Sequence, residues 1–340
     1  MAAKSYLDLK SEVWDKGSCS GCGACVAVCP ADSLSFPEGE MVTGPTSNGY
    51  CKLVNDNVTC GACYAVCPRI GNQPAETLGT YLELMSAKSS FEVPRKQSGG
   101  AVTAILANAL DEGLIDAIIT VTEDRWTLKP SSVCITKTEV LIQQAGSRYS
   151  WWVPLLAALK VAVVGRKFKR IAVIGVPCAV QAVARMRDSD NDLVIPYGKA
   201  IRLVIGLFCT ETFDYHALIS GKLKTHYNLE PHDIKKLNVK GKLEVLQQDG
   251  STTNVPLAEL ETCIRTGCHF CTDLTAVLSD ISAGAIGSPA GSTTLIVRTP
   301  VGKGFVDRAV QNHKLAISTD VDTAAIEKLA LAKIKKNTRK

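Results

Sequence analysis

The sequence predicts an α+β chain in which a small cysteine-rich module precedes a larger α/β domain, and two observations carry that expectation. Residues 23–30 read GACVAVCP and residues 61–68 read GACYAVCP, a near-repeat built around cysteine. From residue 99 onward, helical and strand-like apolar runs alternate, the pattern of helices laid on a sheet that is at least partly parallel.

With 340 residues, 46% of them hydrophobic, the chain is long enough to bury a sizeable core in two or three domains. The longest apolar stretches, 151–165 and 171–184, are interrupted by Lys160 and Gln181 and fall short of the ~20 residues a membrane-spanning helix needs. The N-terminus MAAKSYLDLKSEVWDKG alternates charge and lacks the apolar core of a secretory signal, so a cytoplasmic protein is expected. A net charge of +5 is too small to imply nucleic acid. Fourteen cysteines without an export signal argue for free thiols and metal in place of a disulfide framework. Eight of them lie between residues 19 and 67 and three more between 263 and 271. Lysines 222, 224, 235, 236, 240 and 242, with His226 and His232, form a basic stretch, and the chain closes on KIKKNTRK. Such runs are either solvated faces or attractors of an acidic cofactor or docking partner.

The first array is Cys19-x2-Cys22-x2-Cys25-x3-Cys29-Pro30, the spacing in which three thiolates wrap one 4Fe–4S cube while the fourth serves a second cube. Zinc takes its ligands as separated pairs and does not need this crowding. Pro30 and Pro68 each fix φ and withhold an N–H just after a cysteine, turning the chain away. The second array, Cys60-x2-Cys63-x3-Cys67-Pro68, is one ligand short. Cys51 fills the gap nine residues before Cys60, with KLVNDNVT as a lengthened loop. The arrangement resembles bacterial-type two-cluster ferredoxins with a longer loop in one half. That resemblance implies one cluster on Cys19, Cys22, Cys25 and Cys67 and another on Cys29, Cys51, Cys60 and Cys63. The intervening segment 33–50 has the turn residues and short apolar runs of small hairpins.

After Arg69, IGNQPAETLGT reads as a linker. It separates a module over residues 1–75 from an α/β domain over 76–320, with 321–340 as a basic C-terminal tail. Apolar spacing predicts a helix from Gly99 to Asp111, a strand over 117–122, a helix over 152–165, a buried strand over 170–176, a helix over 178–188 and a second buried strand over 201–208. Cys178 and Cys209 therefore leave the carboxyl ends of two strands, the edge at which open α/β sheets bind ligands. A lone cysteine is more often a small buried hydrophobe, but two at one sheet edge can face one crevice. Cys268-x2-Cys271 lacks partners of its own, and Cys178 with Cys209 would complete a four-thiolate site; Cys263 is the spare candidate. Cys134, in the strand-like SSVCIT, reads as structural, and the histidines show no paired spacing.

The segments QSGGAVTAILANAL (97–110), AGSRYSWW (145–152), IGVPCAVQAV (174–183), GLFCTETF (207–214), RTGCHFCTD (265–273), SDISAGAIGS (279–288) and GSTTLIVRT (291–299) together resemble the family of beta subunits of coenzyme F420-reducing hydrogenase, over about residues 80–310. The resemblance implies an FAD-binding flavoprotein domain that exchanges hydride with the deazaflavin coenzyme F420 and carries a third 4Fe–4S cluster on Cys178, Cys209, Cys268 and Cys271. Cys263 lies outside the matched pattern and leaves the fourth ligand open. The resemblance also makes Ser98, Gly99, Gly100, Ser147, Arg148 and Tyr149 candidate FAD contacts. Backbone amides of a Gly-Gly turn ahead of a helix can approach an anion, although a plain turn and N-cap would look the same. Arg148 can bind a pyrophosphate and Tyr149 can stack, as could any surface Arg-Tyr pair.

With a two-cluster module in front, the chain is most similar to the electron-input subunits of F420H2 dehydrogenases of archaeal respiratory chains. The function so implied is oxidation of F420H2 by hydride transfer to FAD, with electrons passed singly through three clusters to a membrane-bound F420H2 dehydrogenase complex. The chain would then sit in the cytoplasm, free or peripheral on the membrane's cytoplasmic face. Iron–sulfur clusters accept one electron at a time, so a flavin is needed between them and hydride chemistry. Two alternatives stay open: a ferredoxin:F420 oxidoreductase served by soluble ferredoxin, and a non-catalytic electron-transfer module. The lysine-rich 222–242 stretch would steer the coenzyme's phosphate and glutamate tail.

Overall fold

The computed structural model describes residues 3–37, 44–71 and 73–338. Its centre is an eight-stranded sheet built from β1 (Glu83–Ser89), β2 (Ala117–Glu123), β3 (Pro130–Ile135), β4 (Ile171–Gly175), β5 (Ile201–Leu207), β6 (Ile281–Gly284), β7 (Thr293–Val297) and β8 (Leu315–Ser318), in the spatial order β8-β1-β7-β6-β5-β4-β2-β3. The middle four strands, β6, β5, β4 and β2, run parallel, and each flank is antiparallel. The strands expected at 117–122, 170–176 and 201–208 are β2, β4 and β5, and their unbroken apolar runs are explained by burial on both faces.

Each sheet face carries a core. On one face, helix α3 (Ala101–Asp111) and helix α5 (Pro300–Gln311) pack Ile105, Leu106, Phe305 and Val306 against β1, β5 and β7. On the other, helix α4 (Pro177–Arg187) packs Val180, Val183 and Met186 against Ile171, Val173 and Val204. Each fully buried Leu, Ile, Val or Met side chain contributes roughly 1.5–3 kcal/mol.

The second core does not stop at the domain boundary. Short helices α1 (Ala24–Val28) and α2 (Ala62–Ala65) of the cysteine-rich module add Ala24, Ala27, Val28, Ala62 and Val66 to it. The module is thus seated on the α/β domain through a shared apolar surface, and Tyr197 Oη donates to Ala27 O at 2.8 Å beneath it. The linker is fastened as well: Thr275 Oγ1 donates to Thr77 O at 3.1 Å, and Arg298 Nη1 to Leu78 O and Thr80 O at 2.6 and 3.0 Å. The hairpin expected between the arrays is present as Leu34–Ser35 paired with Thr46–Ser47; residues 38–43 of that segment lie outside the described residues.

Two differences from expectation have local causes. The helix expected over 152–165 is split into short helical turns at Leu155–Ala158 and Val161–Gly165. Pro154 holds extended backbone, while the Leu156 N–H donates to Cys22 O and the Ala158 N–H to Ser132 Oγ, both at 3.0 Å. The basic C-terminal segment is a helix, α6 (Thr323–Thr338), laid back on the protein through Ile326, Ala330 and Lys333. No helix among the described residues is long and apolar enough to cross a membrane.

Candidate functional site

The two arrays fold as one another's echo. Gly23 and Gly61 adopt left-handed φ of 81° and 74° as the N-caps of α1 and α2, so each CxxC wraps the start of a short helix. The left-handed cap is the local reason for glycine in both copies of GAC. Burial and the nearby thiols of Cys22, Cys19 and Cys67 push the Cys25 thiol well up. Burial and the thiols of Cys60, Cys29 and Cys51 push Cys63 up to about 12. Cys25 is also within electrostatic reach of Cys63, so the eight thiols share one neighbourhood, with Cys51 brought in by its longer loop. Cys29, Cys51, Cys60 and Cys63 also line an open pocket together with Tyr6 and Leu34.

A third group forms at the carboxyl edge of the central sheet. β4 and β5 are parallel neighbours, so Cys178, in the first turn of α4, and Cys209, just past β5, share that edge. Cys268 and Cys271 approach from the tight turn Thr266–Phe270. The Thr212 N–H donates to Cys268 Sγ at 3.4 Å, which sets the turn against the strand end. Burial, and then Cys268 and Cys271 among its neighbours, raise the Cys209 thiol to about 12, with nearby Lys333 opposing. Cys263 is buried in an apolar cluster with Leu218, Leu223, Val245 and Val255, against which Cys268 also packs. Cys134 is half-buried on β3.

All fourteen cysteines are free thiols. Among the described residues no three His, Cys, Asp or Glu side chains close around a single ion. A four-iron cube makes a different demand, one thiolate at each of four corners, and so spreads its ligands. Twelve buried or half-buried thiols, four of them lining one pocket, fit that demand.

The first and third quartets meet face to face. Arg69 is the hinge pin: its Nε donates to Ser18 O at 3.0 Å and its Nη2 to Gly267 O at 2.9 Å, and the thiols of Cys271, Cys178, Cys268 and Cys22 all lie within its electrostatic reach. Arg265 reaches back the other way, donating to Ser20 O at 2.8 Å and stacking over Trp151 at 3.8 Å. The Trp151 indole N–H donates to Gly21 O at 2.9 Å.

Trp151 also ties this junction to a pocket. It follows Tyr149 by two residues on the short strand Ser150–Trp151, which pairs with Phe213–Asp214 just beyond Cys209. Tyr149, Ser147 and Arg148 line an open pocket with Arg95, Gln97, Glu123, Lys235 and Lys236. Arg148 is the telling residue. Its side chain is 8% exposed and its Nε has no hydrogen-bond partner, with only Glu123 Oε2 at 3.8 Å. Burial lowers its pKa, and burial raises that of Glu123 against the pull of Arg148 and Arg95. A buried, under-partnered guanidinium with three further cations around it suits an anionic group.

The Ser98-Gly99-Gly100 turn adjoins this pocket through Gln97, but its hydrogen bonds run to the sheet. The Gly99 N–H donates to Thr293 Oγ1 at 3.0 Å, and Ser98 Oγ lies 2.9 Å from the same hydroxyl. A Cβ at Gly99 would fall 2.3 Å from Ala87 O, which accounts for glycine there.

Family models match in consecutive blocks. The N-terminal model of the coenzyme F420 hydrogenase/dehydrogenase beta subunit matches residues 84–160, its C-terminal counterpart residues 168–323, and a 4Fe–4S binding domain residues 12–35. A chain of the F420-reducing NiFe hydrogenase complex from Methanosarcina barkeri superposes with a TM-score of 0.73 at 32% identity, covering 79% of this chain and 94% of that one. The chain belongs to the family of F420 hydrogenase/dehydrogenase beta subunits. Among other members, an uncharacterized protein of Methanocaldococcus jannaschii is 43% identical over 98% of both chains. One of the subunits of the F420H2 dehydrogenase of Methanosarcina mazei is 29% identical over 87% of this chain and 84% of its own.

In this family member, the N-terminal block carries the pocket wall 145–149 and the C-terminal block carries Cys178, Cys209, Cys268 and Cys271. Sequence reasoning missed Arg69, Arg265, Glu123 and Lys333, which act across gaps of many residues. Only the buried context distinguishes them from surface charges.

Proposed function

We propose that this family member oxidises reduced coenzyme F420 at an FAD-carrying pocket and delivers the electrons one at a time to a protein partner through three 4Fe–4S clusters. The observation that carries the reading is the junction of the first and third groups of cysteines through Arg69 and Arg265, which supports electron passage between the module and the family domain. When bound, the flavin would supply exchange between hydride and single-electron chemistry, and the clusters would supply one-electron conduction.

The residues divide that work. Cys178, Cys209, Cys268 and Cys271 would hold the cluster of the family domain; Cys19, Cys22, Cys25 and Cys67 the one beside it; Cys29, Cys51, Cys60 and Cys63 the outermost. Cys29, Cys51 and Cys60 are the partly exposed members of the arrays, so the last quartet is the exit to a partner. Arg148 and Tyr149 would hold flavin, Arg148 taking an anionic group on its free Nε. Ser147 lines the same pocket, and Ser98, Gly99 and Gly100 follow Gln97 of its lining. Lys235 and Lys236 at the rim would attract the acidic coenzyme. No acid–base dyad is required, because orientation and exclusion of water are the protein's part in hydride exchange.

Similarity to a subunit of the Methanosarcina mazei F420H2 dehydrogenase supports other subunits of such a dehydrogenase as the acceptor. The test is anaerobic purification with quantitation of FAD, followed by mixing with reduced F420 in a stopped-flow spectrometer. One flavin per chain, bleached before the iron–sulfur absorbance, supports the reading. Absence of flavin would leave the non-catalytic electron-transfer module.

A further inference from the structure

The C-terminal helix α6 begins at Thr323, where the match to the family's C-terminal model ends, so nearly all of it lies outside the recognised domain. It is nevertheless built into the third quartet. Lys333 is 6% exposed, and its Nζ donates to Cys209 O at 2.6 Å and Asp273 O at 2.7 Å. One turn further on, Asn337 Nδ2 donates to Cys268 O at 3.1 Å and Cys271 O at 2.6 Å. Three of the four cysteines are thus clasped through their carbonyls by two side chains of a single helix.

Lys333 is the informative one. An ammonium buried beside neutral carbonyls carries a desolvation cost of several kcal/mol, which only nearby negative charge offsets. Its electrostatic neighbours are the thiols of Cys271, Cys209 and Cys268 and the Asp273 carboxylate. Asp273 is fully buried and already accepts from Gln181 Nε2 at 3.1 Å. Four thiolates around a cube would complete the counter-charge. The strongest electrostatic neighbours of Lys333 all belong to this site, whereas Arg69 and Arg265 also act on Cys22 and Cys19 of the first array.

We infer that Lys333 is a positioning residue that sets the reduction potential of the third cluster, holding it above that of an otherwise equal site. The sign follows from charge. Reduction adds one negative charge to the cluster, a fixed cation nearby favours the reduced form, and net charge and hydrogen bonding are among the factors that set such potentials. The inference rests on the assignment of Cys178, Cys209, Cys268 and Cys271 as a cluster site.

The experiment is a redox titration of the full, anaerobically prepared chain followed by electron paramagnetic resonance, with Lys333→Arg, Lys333→Gln and Lys333→Met beside the unaltered protein. Both neutral variants should disfavour reduction of one signal by about tenfold, ~59 mV for a one-electron couple. The other two signals should stay in place, and Lys333→Arg should behave as the parent. Loss of that one cluster in the neutral variants with retention in Lys333→Arg would also support the charge requirement. An unmoved signal, an equal shift in all three, or loss of the cluster in Lys333→Arg as well would overturn the inference and leave Lys333 a strut. A parent protein showing only two clusters would instead overturn the site assignment itself.

Discussion

Gly267 lies against the backbone of Cys19: a Cβ placed on it would fall 2.0 Å from Cys19 O and 2.6 Å from Cys19 C. The turn bearing Cys268 and Cys271 therefore abuts the first cysteine of the first array with no room for a methyl group. Because the obstacle is backbone, it cannot swing aside. Gly267→Ala should cost about 1–3 kcal/mol or more as overpacking and push the two quartets apart. The expected outcome is a lower melting temperature, with flavin reduction retained and reduction of the ferredoxin-array clusters slowed in stopped-flow. An unchanged rate of array reduction would show that this contact is not on the route.

Arg148 is the buried cation left without a hydrogen bond on Nε, and Glu123 is its one close carboxylate. Arg148→Met should weaken FAD retention by at least tenfold, about 1.4 kcal/mol. Glu123→Gln should strengthen it, because the competing negative charge is removed. Fluorescence titration of the flavin-free chain with FAD checks both. Equal retention in all three proteins would move the flavin site elsewhere.

Lys235 is exposed at the rim of the same pocket, where its charge serves no internal contact in the way Lys236 does by donating to Lys96 O at 2.9 Å. Steering by such a charge falls with ionic strength over a Debye length of about 10 Å at 0.1 M. Lys235→Glu should raise the KM for reduced F420 and flatten its salt dependence, with kcat little changed. A KM identical to the parent's at low salt would remove Lys235 from coenzyme capture.

The pair Glu112–Arg308 ties α3 to α5 through contacts of 2.9 and 2.8 Å, and it holds the Glu112 carboxyl down at about 2 against an ordinary 4.5. A depressed carboxylate contributes stability above its unfolded pKa and loses it as pH falls toward the folded one. Glu112→Gln should therefore lower the melting temperature at pH 7 and converge with the parent between about pH 4.5 and 2. A constant offset across that window would show that the pair contributes through shape alone.

Much of the site was legible because metal-ligand spacing is local. Cys19, Cys22, Cys25 and Cys29 announce themselves within eleven residues, and Cys51 was recoverable by counting ligands. Cys178 and Cys209 were recoverable because each ends an apolar run whose length marks a doubly buried strand. The junction was not legible: Arg69 meets Gly267 across 198 positions, and nothing near either residue foretells it. Lys333 was hidden for the opposite reason. It sits in KIKKNTRK, a stretch dominated by solvated charge, and the apolar spacing of Ile326 and Ala330 marks the face that turns inward.

Iron and acid-labile sulfide per chain, measured on anaerobically prepared protein beside a Cys268→Ser, Cys271→Ser double variant, test the three-cluster assignment most directly. About twelve irons in the parent and about eight in the variant are expected from three four-iron clusters, one of them held by the family domain. Equal iron in both proteins, or about eight in the parent, would contradict it.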